Sequence, residues 1–186
     1  MMNINALFNI PVLETARLIL QPIGDEHFTS VMSILGDREV RHGMRMDAHD
    51  TPEKQNAWWR RFEESRKRGE AVQWAAFLKE NNTYASLLTV KEIDHNSHRG
   101  EVGYSVVKSL WGKGIASEGV KCVVDYMFNT VNIHSLIAQI LPSNEVSQKI
   151  VSRLGFVKEA HFHDVHKYQE VYYDLLQFYK INPAHT

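Results

Sequence analysis

One cysteine, Cys122, stands in the 186 residues. A lone cysteine excludes an intrachain disulfide and any multi-cysteine zinc site, and it fits a reducing compartment. Charge of one sign is also missing: the net charge is -1, so no basic field draws in nucleic acid or an anionic membrane. No uncharged apolar run approaches the length of a bilayer span. The opening MMNINALFNIPVLE puts no basic residue ahead of its apolar ones and has no small-residue cleavage site, so it does not read as a secretory signal. The expectation is a cytoplasmic protein that binds neither nucleic acid nor membrane.

The 44% hydrophobic and 23% charged fractions are those of an ordinary globular chain, and the length suits one domain over residues 1–186. RLILQPI (Arg17–Ile23) reads as a strand ended by Pro22. Gly24-Asp25 then opens a helix to about Leu35, with Phe28, Val31, Met32 and Leu35 at helical spacing. RHGMRMDAHD looks irregular. Asp50-Thr51-Pro52-Glu53 is a helix start, and the helix carries Trp58 and Phe62 one turn apart until Gly69 stops it.

AVQWAAFLKE, TYASLLTVKEI and RGEVGYSVV form a meander with turns at Glu80-Asn81-Asn82 and Asp94–His98. Ile115 to about Asn129 reads as a helix with its apolar stripe on Val120, Val123, Val124 and Met127, and with Glu118, Lys121 and Asp125 facing away. HSLIAQIL is a buried strand, Asn144–Leu154 a helix, and FVKEAHF and VYYDLLQFYKI the last strands. A central meander with only some helices following strands implies an α+β fold with a mixed sheet.

The densest chemical signal is LWGKGIASEG, Leu110–Gly119, where Gly112 and Gly114 flank Lys113 just before a helix. Side-chain-free residues let several amides converge on one anion at the positive end of a helix, and Lys113 adds a full charge. A plain strand-to-helix turn would look the same. A P-loop would need Ser or Thr where Gly114 follows Lys113. A dinucleotide fold would need a third Gly at Ser117 and an acid where Gln139 ends the next strand.

GEVGYSVVKSLWGKGIASEGV followed by SNEVSQKIVSRLGF resembles the Gcn5-related N-acetyltransferases, in particular the branch that acetylates ribosomal-protein N-termini. The family's cofactor turn corresponds to Trp111-Gly112-Lys113-Gly114-Ile115-Ala116, with Trp departing from the commoner Gln or Arg. Asn144 and Ser147 match its Asn-x-x-Ser, Leu154-Gly155-Phe156 its closing motif, and TARLILQPI and TPEKQNAWW resemble the same branch.

The resemblance implies a mostly antiparallel twisted sheet of about seven strands flanked by four helices, with acetyl-CoA as acyl donor and no metal. The diphosphate of CoA would sit on the amides of Gly112, Lys113, Gly114, Ile115, Ala116 and Ser117, and the pantetheine arm along Val106 and Val107. Asn144 would support the cofactor or cap its helix.

Glu101 is the implied general base, set on one strand face with Gly103 and Ser105; a solvated strand residue is the alternative. Ser147 is the proton donor to the thiolate that the resemblance implies, since the ribosomal branch places a serine there, while Val151 occupies the position at which many relatives carry tyrosine; a hydroxyl bonded to its own helix is the alternative. Of Trp58 and Trp59, one is expected in the core and the other elsewhere, and Tyr104 is expected to pack.

In HFHDVH, His161 and His163 share a strand face as a metal pair would, but no further ligand is evident and a substrate-side loop is the better reading. The implied acceptor is a protein N-terminal amine, ahead of polyamines and other small amines, on a monomer or homodimer. A non-catalytic acyl-CoA-binding module is the rival reading.

Overall fold

The computed structural model describes residues 1–185. Helix α1 (Asn5–Phe8) leads into strands β1 (Leu13–Glu14) and β2 (Leu18–Pro22). A 3-10 turn at Asp25–His27 continues as α2 (Phe28–Gly36), followed by α3 (Arg38–Met44) and α4 (Pro52–Lys67). The meander is β3 (Val72–Leu78), β4 (Tyr84–Asp94) and β5 (Arg99–Val106). Then come α5 (Ile115–Tyr126), a π-helical turn at Met127–Val131, β6 (Ser135–Ile140), α6 (Glu145–Arg153), β7 (Val157–Tyr168) and β8 (Val171–Ile181).

All eight strands join one sheet in the order β1-β2-β3-β4-β5-β6-β8-β7. Among the described residues, only β5 and β6 run parallel. The sheet separates two cores, as alternating side chains require. One, with Leu18, Leu88, Val102, Val120 and Leu136, lies under α5 and α6; the other, with Val31, Leu35, Trp59, Ala75 and Leu87, lies under α2 and α4.

The mixed α+β architecture is the expected one, but among the described residues eight strands and six helices stand in place of about seven and four. Helix α3 forms where an irregular loop was expected. Asp37 Oδ1 accepts from the amides of Glu39 (2.8 Å) and Val40 (3.1 Å), and Val40 is the one buried residue of the helix, so a cap stands in for an apolar stripe. Strand β7 runs through HFHDVH to Tyr168 instead of ending in a loop there. Its turn to β8 is Gln169-Glu170, both at positive φ (47° and 62°) without a glycine or asparagine to announce it.

Candidate active site

The parallel pairing of β5 with β6 lasts only from Arg99↔Ser135 through Gly100↔Leu136 to Glu101↔Ile137. Beyond Glu101 the strands diverge, and a cleft of about 600 Å³ opens between them and toward α4. Residues along the separating edges, Glu101, Gly103 and Ser105 on one side and Gln139 and Leu141 on the other, line it.

Glu101 sits at the fork and is 7% exposed. Its cross-strand partner is Lys91, and Nζ lies 3.1 Å from the carboxylate. Burial pushes the Glu101 carboxyl above its ordinary value, and Lys91 restrains that rise without cancelling it. Burial alone would lower Lys91, but Glu101 and Glu92 hold it above the usual ammonium value. The two partners therefore pull differently. The enclosed carboxylate decides, because the half-exposed lysine keeps much of its hydration. A carboxylate reluctant to ionise, facing a cleft, has the character of a general base.

Across the cleft, Asn144 caps α6: its Oδ1 accepts from the Ser147 amide at 3.0 Å, and both residues line the cavity. Tyr104 joins them. Its hydroxyl is buried without a well-formed hydrogen bond, yet it lies close enough to Ser147 to interact with it. Burial raises the phenol and Ser147 draws it partly back, so Tyr104 holds its proton. The orphaned hydroxyl makes Tyr104 more than the packing residue expected from sequence. Val151 is buried, away from any polar role.

The glycine turn lies at the far end of β5. Gly112 and Gly114 have φ of 74° and 77°, values an L side chain rarely adopts. Gly114 begins α5 with no side-chain cap, and the first intrahelical bond runs from the Glu118 amide to Gly114 O (3.1 Å). The amides of Ile115, Ala116 and Ser117 therefore have no helical partner. A Cβ on Gly112 would meet nothing within 4 Å, so a ligand can approach the backbone there. This cradle fits a diphosphate. The Lys113 amide instead turns toward Leu110 O (3.4 Å).

At Val106 and Val107 two main-chain groups are already engaged: Trp111 Nε1 donates to Val106 O (2.8 Å), and Val107 N–H donates to Ala85 O (2.9 Å).

The turn is braced from the segment between β1 and β2. Arg17 donates through Nη1 to Lys113 O (2.8 Å) and through Nε to Glu118 Oε2 (2.6 Å), while Thr15 Oγ1 and Arg17 N–H donate to Glu118 Oε1. Glu118, expected to face solvent, is thus a brace. Burial pushes its carboxyl up, but the bonds from Thr15 and Arg17 outweigh that and hold it below the usual value.

The remaining wall is apolar with a cationic rim. Trp59 is buried and donates to Asp25 Oδ1 (3.1 Å), while Trp58 faces the cleft, stacked on Phe62 at 4.6 Å. Met44, Met46, Arg61 and His166 complete it. Burial lowers His49 beside Trp58, and Arg61 and Arg41 lower it further.

A family model for the acetyltransferase (GNAT) domain matches residues 17–157. The chain belongs to that family. It is therefore an acetyl-CoA-dependent N-acetyltransferase. It is 27% identical over 166 residues to a Bacillus licheniformis protein described as uncharacterized N-acetyltransferase p20, covering 89% of this chain and 93% of that one. It is also 27% identical over 165 residues to the [ribosomal protein uS5]-alanine N-acetyltransferase of Escherichia coli K12, covering 84% of each. Spermidine N-acetyltransferase from Vibrio cholerae, solved with CoA and spermine, shares the GNAT fold with a TM-score of 0.81 at 15% identity, over 90% of this chain and 97% of that one.

Sequence reasoning named Glu101, Ser147, Asn144 and the glycine turn; the fold sets Glu101 across one cleft from Asn144 and Ser147, and puts the glycine turn beyond the end of β5, outside the cleft lining. It missed Lys91, Arg17 and the part taken by Glu118. Strand pairing puts Lys91 opposite Glu101, and that register is a relation no local pattern carries.

Proposed function

We propose that the protein acetylates an N-terminal α-amine of a polypeptide, of the kind a ribosomal protein presents, using one N-acetyltransferase domain over residues 1–186. The observation that carries this is Glu101, buried at the fork against Lys91 and facing an apolar cleft. Acetyl-CoA supplies a thioester carbon open to attack and a thiol leaving group of pKa about 8.5. The amides of Gly112 and of Gly114 to Ser117, with the Lys113 ammonium, hold its diphosphate. Val106 and Val107 flank its pantetheine arm, whose polar groups bond along the unpaired edge of the fork because two main-chain groups there are taken.

An α-amine has a pKa near ~8, so a sizeable fraction is already neutral at physiological pH. Glu101 needs only to accept the proton lost on attack, directly or through water. Ser147 delivers a proton to the departing sulfur, and Tyr104 beside it supplies or replenishes that proton. The rest of the rate comes from holding amine and thioester together in a water-poor cleft.

The cleft also favours an α-amine over a polyamine. Among the described residues lining it, Glu101 is the one acid and is already paired, whereas Arg61 and Lys91 are cationic. A polycation would meet repulsion there, while Trp58, Phe62, Met44 and Met46 suit the first side chains of a peptide.

The test is free thiol release from acetyl-CoA with peptides bearing a free α-amine, the same peptides blocked at the N-terminus, and spermidine. Turnover should follow the free α-amine and vanish on blocking. Turnover confined to spermidine would overturn the acceptor. CoA binding without thiol release from any amine would restore the non-catalytic module.

A further inference from the structure

On the face of the β7–β8 hairpin turned away from the cleft, three metal-ligating side chains converge. Asp174 Oδ2 lies 2.7 Å from His161 Nε2 and 3.0 Å from His163 Nδ1, and the two imidazole rings are 4.3 Å apart. The three donor atoms fall within 4.8 Å of one another. The third donor that HFHDVH lacks in sequence is thus supplied by the partner strand.

A bulge makes the arrangement possible. The pairing steps from Phe162↔Leu175 to His166↔Tyr173, leaving residues 163–165 opposite Asp174 alone. Asp164 takes a left-handed conformation (φ 55°), and its N–H donates to Asp174 Oδ1 at 3.0 Å. That bond fixes the carboxylate by its far oxygen and leaves Oδ2 for the two imidazoles. An outer contact that orients a ligand in this way is typical of built metal sites. Asp174 shares its face of β8 with Leu176, and Leu175 faces the cleft, so this cluster is separate from the catalytic one.

We propose that His161, His163 and Asp174 bind a divalent transition-metal ion, Zn2+ foremost. Two imidazole nitrogens and one carboxylate oxygen match the borderline softness of Zn2+ and are a poor set for Mg2+ or Ca2+, which prefer all-oxygen shells. In a tetrahedral site with bonds of about 2.1 Å the donors lie about 3.4 Å apart. Accepting the ion therefore asks Oδ2 to draw back by about 0.7 Å from His161 Nε2 and by about 0.4 Å from His163 Nδ1, and water completes the shell. The ion pins the bulged β7 to β8, so its role is structural and independent of acetyl transfer.

The experiment is calorimetric titration of Zn2+ into tag-free protein, with wild type compared to His163→Ala and Asp174→Asn. His163 is 73% exposed at its side chain, so its removal leaves the fold intact. One ion per chain is expected in the micromolar range, with affinity reduced at least about ten-fold in each variant. Zn2+ should raise the melting temperature of wild type and not of His163→Ala. Co2+ in place of Zn2+ should give the intense visible bands of four-coordination. No uptake by wild type up to millimolar Zn2+ would overturn the proposal. So would uptake undiminished in both variants, which would place the ion elsewhere, for example at the stacked His134–His185 pair.

Discussion

Glu101 and Lys91 pair across strands at the point where β5 and β6 part, so one residue's ionisation is tuned by the other. Replacing Glu101 with Gln keeps the shape and removes the base, and kcat should fall by about 10²-fold, the low end for a general base because the amine is partly neutral already. Wild-type activity should decline as pH falls through the Glu101 pKa, which burial sets above the usual carboxylate value, and that acid limb should be absent in the Gln variant. Lys91→Met withdraws the one charge that restrains the rise. Its acid limb should therefore move to higher pH, as a pH series of kcat/KM would show; an unmoved limb would mean that another group titrates there. Tyr104→Phe is a second residue-scale prediction. The hydroxyl has no well-formed bond to lose, so thermal stability should hold or improve, while kcat drops several-fold if the phenol feeds the thiolate its proton.

At the scale of elements, α5 is held by its N-terminus. Arg17, Thr15 and Glu118 tie the β1–β2 turn to the glycine turn, and Arg17→Ala or Glu118→Gln should raise the KM for acetyl-CoA several-fold with little change in the KM for amine. Steady-state kinetics with each substrate varied separately would check the split. Because the folded Glu118 pKa lies below its ordinary value, the brace is fully present above about pH 4.5 and is lost only as pH falls through the depressed value.

The turn itself was legible in sequence because Gly-Lys-Gly before a helical stripe is a local pattern. The brace was not, since Glu118 looks solvent-facing on any helical wheel and its partners arrive from the β1–β2 turn. The second half of strand β7, beyond FVKEAHF, hid for a related reason. Its bulges break the two-residue alternation that marks a strand, and the same bulges give His161 and His163 a common partner.

Across the whole molecule, the sheet is two antiparallel blocks joined through a three-residue parallel seam, and α5 packs on β4 and β5 beside that seam, with the glycine turn at its N-terminus. The meander could be read from its turns. The seam could not, because the function resides in where pairing stops, and a sequence has no signal for strands that part. The height at which α5 sits then sets where the cradle stands relative to the fork. Gly119 fixes that height: a Cβ there would lie 2.8 Å from Leu88 Cδ1 and 3.6 Å from Leu18 Cδ1, both on fully buried side chains. Replacing a helical glycine gains at most about 1 kcal/mol of backbone entropy, whereas overpacking a closed core costs about 1–3 kcal/mol. Gly119→Val, whose branched side chain gains less than alanine would, should therefore be net destabilising by about 1–2 kcal/mol. It should also lift α5 from the sheet and raise the KM for acetyl-CoA, although it touches no ligand. Denaturant melts together with acetyl-CoA kinetics would check both halves, and a variant as stable and as tight-binding as wild type would show that the seat of α5 does not position the cradle.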